Sequence, residues 1–188
     1  QKNPAKVVLP QDMQDTWVAD LMRDQVSMSH PYGAFAIPSL AKAAGILHKD
    51  SKLVFIPDHP RLGAYREVYK NTLASFEVRA NKKIGDIESF GSAKKAISTP
   101  DMIMLLHEDN DNVVDEEDML RNRLFDMLVG DFDRHDDQWR WAVFTCEKGN
   151  HEACYHTKTD ASGKGIIFRP VPRDRDQVFD NVDGLVAR

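Results

Sequence analysis

The chain has 188 residues, of which 41% are hydrophobic and 29% are charged, a balance typical of one globular domain and not of a disordered segment. A net charge of −5, with no local cluster of Lys and Arg, argues against a nucleic-acid partner. No apolar run approaches the roughly 18 residues that a membrane-spanning helix needs. The sequence begins at Gln1 without a Met, so we interpret it as a mature or excised piece, in which the absence of a targeting signal is uninformative.

The first half of the chain predicts helices followed by a small antiparallel sheet. Residues 11–29 have helical apolar spacing that ends at His30-Pro31, because a residue before proline disfavours the α conformation. The apolar face of that helix consists of Trp17, Val18, Leu21, Met22 and Val26. A short helix is expected from Pro38 to Gly45. Three strands are expected at residues 52–57, 65–69 and 73–79, and residues 82–98 are expected to connect two subregions.

The second half predicts two helices and a β-hairpin. Thr99 is the expected N-cap of the first helix, with Pro100 in its first turn, and an acidic loop follows at residues 108–112. Asp115 is the expected N-cap of the main helix, which Gly130 ends. The predicted buried stripe of this helix consists of Leu120, Leu124, Met127 and Leu128. Residues 141–145 and 165–171 are predicted strands on either side of the hairpin.

The two cysteines, Cys146 and Cys154, lie eight positions apart on either side of a Gly149-Asn150 turn signal. If their flanks pair as a hairpin, a disulfide is geometrically feasible and would indicate an oxidising compartment. Two free thiols are the second interpretation. A zinc site that adds His151 and His156 is the third, although the spacing matches no common zinc module.

The densest polar stretch follows Gly130. Asp131, Asp133, Asp136 and Asp137 repel one another unless cations lie among them, and Arg134, His135 or a bound metal can supply that charge. A similar stretch, rich in arginine and aspartate, occurs at residues 169–179. One interpretation is a metal-dependent site. The other is a set of buried ion pairs among Asp131, Asp133, Arg134, Asp174 and Arg175 that holds two lobes together without any catalysis.

The order of these elements and motifs resembles a protein-kinase-like fold, in particular the atypical kinases of the HipA, CotH and secretory-pathway groups. Those families end a helix in Gly-Asn/Asp-x-Asp-Arg/Asp-His, where Gly130-Asp-Phe-Asp-Arg-His135 stands here. The resemblance implies that Asp133 is the catalytic base and that Gln138 and Asp174 are ligands of Mg²⁺ or Mn²⁺ bound with ATP. Supporting roles fall to Asp131, Arg134, His135 and Asp176. Lys2 is the expected nucleotide-binding lysine, with Lys6 as the other early candidate and with Asp24 or Gln25 as its partner.

Several longer stretches also resemble an uncharacterised domain of Bacteroidota envelope proteins that carry calcineurin-like phosphoesterase and outer-membrane barrel segments. Residues 123–141 and 170–176, with His30-Pro-Tyr-Gly33 and Gly45-Ile-Leu-His48, carry this resemblance. It implies an extracytoplasmic location, in the periplasm or cell envelope, and a tether to an outer-membrane barrel in a longer protein. A disulfide between the two cysteines suits such a location.

The sequence therefore predicts a single α+β, kinase-like domain that is incomplete, with an N-lobe-like part at 1–81 and a C-lobe-like part at 99–188. The expected function is to bind a magnesium nucleotide and transfer phosphate to the hydroxyl of an unknown protein or small-molecule acceptor. One alternative is a catalytically inactive scaffolding or binding module. A second is a calcineurin-like metallophosphoesterase, suggested by Gly130-Asp-Phe-Asp-Arg134 and Gly149-Asn-His-Glu152.

Overall fold

The computed structural model describes residues 9–21, 30, 32–80, 85, 87–131, 134–146, 165–175 and 177–179. The fold is mixed α+β, as the sequence predicts. The helices with described bounds are α1 (Gly33–Ala43), α2 (Arg66–Tyr69), α3 (Thr99–Glu108) and α4 (Glu116–Val129). The strands are β1 (Ser51–Ile56), β2 (Thr72–Glu77), β3 (Ala96–Ile97), β4 (Val113–Val114), β5 (Trp139–Cys146) and β6 (Gly165–Pro172). No helix in the described ranges is long and apolar enough to cross a membrane.

The N-terminal segment differs from the single helix expected over 11–29. A 3-10 turn spans Gln11–Met13, and in the described part of this segment α-helix occupies residues 17–21. The Thr16 hydroxyl donates to the Met13 carbonyl at 2.8 Å, a local bond that competes with a continuous helix. Trp17, expected on the apolar face, is 74% exposed. The remainder of the predicted helix lies outside the described residues.

Helix α1 begins at Gly33, earlier than the start expected near Pro38. Proline lacks an N–H group, so Pro38 removes one hydrogen bond from the interior of α1. The start of α1 lies against the last described segment of the chain, because a Cβ at Gly33 would be 2.8 Å from Val178 Cγ2. The helix ends as predicted at Gly45, whose φ of 69° suits glycine.

Strands β1 and β2 pair antiparallel, as predicted, in register from Ser51 opposite Glu77 to Ile56 opposite Thr72. The strand expected at residues 65–69 is wrong, because a 3-10 turn at Pro60–Tyr65 runs directly into α2. The His59 side chain accepts a hydrogen bond from the Arg61 amide at the start of that turn. Tyr65, Val68 and Tyr69 also have helical i, i+3, i+4 spacing.

A second sheet has the strand order β3-β5-β6-β4. β5 and β6 pair antiparallel from Trp139 opposite Pro172 to Cys146 opposite Gly165, which confirms the two predicted strands. β4 pairs parallel with β6, and β3 pairs antiparallel with β5. Cys146 ends β5, but its side chain and Cys154 lie outside the described residues, so the disulfide stays a prediction.

The main helix, α4, begins and ends where predicted. Asp115 caps it by accepting a hydrogen bond from the Asp118 amide at 2.9 Å, and Gly130 follows its last turn with a φ of 69°. Its orientation is the reverse of the prediction. The expected buried stripe is exposed, by 59% at Leu120, 56% at Leu124, 74% at Met127 and 80% at Leu128.

The buried face of α4 is instead largely polar. Its buried residues are Asp118, Asn122, Phe125, Asp126 and Val129. Phe125 and Val129 pack against α1 residues and Val178 in one hydrophobic cluster. Asp118 pairs with Arg169 of β6 at 3.1 Å, so arginines on neighbouring segments determine which face of α4 points inward.

Candidate functional site

The acid-rich loop that follows α4 turns sharply at its start. The Asp131 amide donates to the Asp126 carbonyl at 2.8 Å, and the residue between α4 and the loop is the left-handed Gly130. A 3-10 turn then spans Asp136–Gln138 and leads into β5. Asp133, the expected catalytic base, lies outside the described residues, and so do Asp176, Lys2 and Asp24. Their roles stay predictions.

Arg134 is the centre of this loop, and its side chain is 1% exposed. Its Nη2 lies against the Asp131 carboxylate. Its Nη1 donates to Gln138 Oε1 at 3.0 Å and to the Arg173 carbonyl at 2.6 Å. The Arg173 amide in turn donates to the Gln138 carbonyl at 2.8 Å. Two segments that are far apart in sequence are therefore joined.

Asp126 is the anionic partner that the sequence analysis did not identify. Its Oδ2 lies 3.4 Å from Arg134 Nε and 3.1 Å from Arg123 Nη1, and its Oδ1 lies 2.8 Å from Arg175 Nη2. Its signal in the sequence was the eight-residue spacing from Asp118, which places both acids on one helical face with Asn122 between them. The predicted apolar stripe assigned that face to solvent.

Burial dominates the electrostatics of this network. It raises the pKa of Asp126 above its usual range, against the opposing effect of Arg175 and Arg134. It also lowers the pKa of Arg175 to about 10, with Asp126 acting in the opposite direction. Aromatic rings cover both guanidinium groups, with Arg134 5.5 Å from the Trp139 ring centroid and Arg175 4.8 Å from that of Phe125. The network is thus a desolvated ion-pair cluster and not an exposed acidic loop.

The predicted metal ligands differ in accessibility. Gln138 is buried, and its Oε1 already accepts a hydrogen bond from Arg134. Asp174 is exposed, and its φ of 49° is left-handed, which is uncommon for a residue other than glycine. His135 is exposed, and its carbonyl accepts from the Gln138 amide at 2.9 Å. Within the described part of the chain, no three His, Cys, Asp or Glu side chains are grouped closely enough to hold a metal ion.

Thr99 connects helix α3 to the same loop. The N-cap of α3 is Ser98, whose Oγ accepts from the Asp101 amide at 3.3 Å, so the assignment of Thr99 as N-cap is wrong. The Thr99 hydroxyl instead donates to the Asp136 carbonyl at 3.0 Å and accepts from Trp141 Nε1 at 3.1 Å. One threonine therefore fixes the loop against both α3 and β5.

Two cavities lie on either side of His48. The larger, of about 310 Å³, is lined by Lys42, Arg169 and the connecting residues 87–89 among others. The smaller, of about 20 Å³, is lined by residues that include Lys49, Glu77 and Arg175. His48 is buried, and its Nδ1 lies 2.8 Å from the Ile46 carbonyl.

A partly buried lysine–glutamate pair, which no sequence motif indicated, lines the smaller cavity. Lys49 Nζ contacts Glu77 Oε2, and the Ser51 hydroxyl donates to Glu77 Oε1 at 2.7 Å. Burial raises the pKa of Glu77, but hydrogen bonds from Lys49 and Ser51 outweigh it, so the net shift is downward. The two residues come together because β1 and β2 pair with Ser51 opposite Glu77. Without that register, Lys49 and Glu77 are two unrelated charges in the sequence.

No protein-family model, curated protein or solved structure matches the chain. The geometry of the site therefore carries the functional interpretation.

Proposed function

We propose that the chain is a kinase-like domain that binds a magnesium nucleotide and transfers its terminal phosphate to a hydroxyl group of an unknown acceptor. The observation that carries this proposal is the junction at Arg134. Its guanidinium joins the loop at 131–138 to Arg173, the residue before Asp174. Phosphoryl transfer needs a carboxylate beside the nucleophile and separate oxygen ligands for magnesium in one place. The two segments that would supply those groups are in direct contact.

Asp174 is the residue to which we assign the magnesium ion. Its carboxylate is exposed beside a network in which Asp126 and Asp131 are already paired with arginines. Backbone strain of the kind seen at Asp174 persists only where surrounding structure holds it, and it concentrates at functional sites. Gln138 would contribute only the remaining lone pair of an Oε1 that already accepts from Arg134.

Asp133 is the proposed base. In the reaction, the acceptor oxygen forms a bond to the terminal phosphorus, the bond between that phosphorus and the bridging oxygen breaks, and the nucleoside diphosphate leaves. The proton of the acceptor hydroxyl passes to the Asp133 carboxylate. Arg134 takes no part in the bond changes, but it fixes the loop that carries Asp133.

The larger of the two cavities is big enough for part of a nucleotide, whereas the smaller, of about 20 Å³, has room for roughly one water molecule. A cavity of about 310 Å³ against the connecting residues 87–89 is of the size that holds a small organic ligand. Lys49 is a point charge of the type that binds phosphates, and it lines the adjoining cavity together with Arg175. We therefore propose that a cleft runs from the larger cavity past His48, with Lys49 and Glu77, in place of Lys2 and Asp24, as the pair at its phosphate end.

Thermal unfolding with nucleotide tests the proposal. A ligand present at a hundredfold excess over its Kd stabilises the folded state by about 2.7 kcal/mol, so ATP with Mg²⁺ or Mn²⁺ should raise the melting temperature and EDTA should reverse the rise. Asp174→Asn and Lys49→Met should each reduce the shift while keeping the fold. The matched control is Lys70→Met, which removes the exposed lysine paired with Glu67. No shift with either metal at millimolar nucleotide would refute the proposal.

A catalytically inactive binding module is the second candidate function. The buried network favours it, because Arg134 engages both Asp131 and Gln138 and needs no ligand to do so. Asp133→Asn separates the two candidates. In an active kinase this change leaves the nucleotide-induced shift intact and abolishes ATP turnover. In an inactive module the parent chain has no turnover to lose.

A further inference from the structure

Arg175 is a buried cation whose hydrogen-bonding capacity is unused within the described residues. Its side chain is 7% exposed, and its Nη2 lies 2.8 Å from Asp126 Oδ1. None of its three side-chain nitrogens, however, has a hydrogen-bond partner in the described part of the chain. Buried donors in native proteins almost always have a partner, which can be an ordered water or an ion. The unused donors of Arg175 therefore indicate a bound ligand.

The carboxylate that faces Arg175 is shared with other arginines. Asp126 also lies within ion-pair distance of Arg134 and Arg123, and Arg134 in turn contacts Asp131. Three arginines thus face two aspartates, which leaves one positive charge in excess. Arg123 is 47% exposed and is hydrated, whereas Arg175 is not. Because a buried charge is costly unless it is fully compensated, an anion beside Arg175 would stabilise the network.

The smaller cavity provides the space for such a ligand. It measures about 20 Å³, and its lining includes Arg175, Lys49, Ser51 and Glu77. Lys49 is 17% exposed and contacts Glu77, but an ammonium group has three N–H donors, so others remain. A space of this size holds one particle about as large as a water molecule. Phosphate, sulfate and organic anions are too large, so the candidates are a water molecule and a monoatomic anion.

The side chains around the cavity favour an anion over water, because they offer many donors and few acceptors. A buried water typically makes about three hydrogen bonds, and it needs acceptors for its own two hydrogens. Glu77 is the carboxylate in the lining, and both of its oxygens already accept hydrogen bonds. Oε2 accepts from Lys49, and Oε1 accepts from Ser51 and Ser75. A monoatomic anion needs donors alone.

His48, which lines both cavities, does not change this balance. A carbonyl oxygen can only accept, so Nδ1 carries the hydrogen of its 2.8 Å bond to the Ile46 carbonyl. Nε2 lies 3.7 Å from the carboxylate of Asp50, a residue that lines the larger cavity. Both ring nitrogens are therefore close to groups other than the ligand of the smaller cavity.

We propose that the smaller cavity binds a chloride ion, to which the guanidinium of Arg175 and the ammonium of Lys49 donate hydrogen bonds. Chloride is monoatomic and only slightly larger than water. The ion supplies the negative charge that the arginine network lacks. It also links Lys49, just before β1, to Arg175, which follows β6, and so it stabilises the fold.

Thermal unfolding without nucleotide tests the proposal, so its outcome is independent of the proposed function. Mixtures of sodium chloride and sodium gluconate keep the ionic strength constant while chloride increases, and gluconate is too large for the cavity. The melting temperature should rise with chloride, by about 3–6 °C at ten times its Kd. Sodium bromide should have the same effect as sodium chloride.

Two variants distinguish this site from general effects of salt. Ala34→Val adds two methyl groups to a residue that lines the cavity, and Lys49→Met removes one of the proposed donors. Each should lose most of the chloride-dependent rise in melting temperature. The control for the first is Ala36→Val, at an exposed position of the same helix. The control for the second is Lys70→Met, which removes the lysine paired with Glu67, and both controls should respond to chloride as the parent does.

A crystal soaked in bromide shows the ion directly, and the anomalous signal should lie between Arg175 and Lys49. If the parent and Ala34→Val respond equally to chloride, or if the crystal has no bromide at this position, the cavity holds water and the proposal is overturned. A bromide signal without any chloride-dependent stability in solution also overturns it, because the ion then binds at crystal concentration only.

Discussion

Arg134 Nη1 lies 2.6 Å from the carbonyl oxygen of Arg173, and this contact fixes the position of Asp174 relative to the loop after α4. Because the Arg134 guanidinium donates to a backbone carbonyl, it holds the main chain at position 173 whatever side chain that residue carries. The other terminal nitrogen of the same guanidinium, Nη2, contacts the Asp131 carboxylate. The relative position of the two loops therefore depends on one buried side chain.

Arg134→Met should destabilise the protein by about 3–5 kcal/mol, because it leaves Asp131 buried without its partner and deprives Asp126 of one of its cations. Urea unfolding followed by tryptophan fluorescence measures the change. The double variant Arg134→Met/Asp131→Leu should be less destabilised than the single variant, since both members of the pair are then apolar. A double variant at least as unstable as the sum of the two single variants would contradict the ion-pair interpretation.

Arg66→Met is the matched control, since it removes an arginine from an ion pair with Asp58 in which both side chains are substantially exposed. Exposed pairs contribute little to stability, so this variant should unfold close to the parent.

Asp174→Gly should stabilise the fold by about 0.5–1 kcal/mol, because glycine adopts the observed φ of 49° without the penalty that an L side chain incurs. The same change should abolish the stabilisation by magnesium nucleotide, because the proposed metal ligand is lost. Urea unfolding with and without nucleotide measures both effects. Asp137→Gly, at a neighbouring exposed acid without positive φ, should bring no gain in stability. A loss of stability in Asp174→Gly would show that the carboxylate has a structural role.

Much of the fold follows from local sequence signals. Asp115 and Gly130 mark the two ends of α4, and each acts through bonds or dihedral angles within a few residues. The short apolar runs of β1, β5 and β6 were predictable as strands for the same reason. The strand predicted at residues 65–69 was wrong because short apolar spacing fits a helical turn equally well.

The orientation of α4 could not be predicted from its own residues. Its apolar pattern alone favours burial of Leu124 and Leu128, whereas the structure buries Asp118 and Asp126. What decides the outcome is the pairing of those acids with Arg169 and Arg175, which are more than 40 residues away in sequence. The candidate site likewise has a part that was predictable from the sequence and a part that was not. The contact between the two loops was predictable from motifs, but Asp126, Lys49 and Glu77 depend on tertiary register.

Asn122→Leu should stabilise the protein by about 1 kcal/mol. Its Nδ2 donates to the Asp118 carbonyl at 2.8 Å, but its Oδ1 is buried and accepts no hydrogen bond from the described residues. The desolvation penalty of a buried acceptor that lacks a donor exceeds the stabilisation from the one hydrogen bond that Asn122 makes. Leucine has a similar shape and carries no such penalty. The control is Asn112→Leu, which loses a bond to the Leu105 carbonyl and one from the Ile166 amide and should destabilise. Chemical unfolding of both variants would contradict this account if Asn122→Leu were the less stable of the two.

Glu77→Gln should remove part of the acid sensitivity of the fold. Burial raises the pKa of Glu77, but hydrogen bonds from Lys49 and Ser51 together lower it by more than burial raises it. The folded-state pKa therefore lies below the ordinary value of 4.5. A depressed carboxyl pKa contributes stability that is fully present above 4.5 and is lost as the pH falls through the folded-state value. The free energy of unfolding of the parent should therefore fall over this window more steeply than that of Glu77→Gln. The two curves should converge at acid pH.

Glu88→Gln is the control for this pH series, because Glu88 is 93% exposed and lies 3.9 Å from Lys42, a lysine that is itself 72% exposed. Its unfolding free energy should run parallel to that of the parent from neutral to acid pH. Urea unfolding at a series of pH values, with ionic strength held constant by salt, gives all three curves. If Glu77→Gln also ran parallel to the parent, Lys49 and Glu77 would contribute no ion pair to the folded state, and the phosphate end of the proposed cleft would lose its anchor.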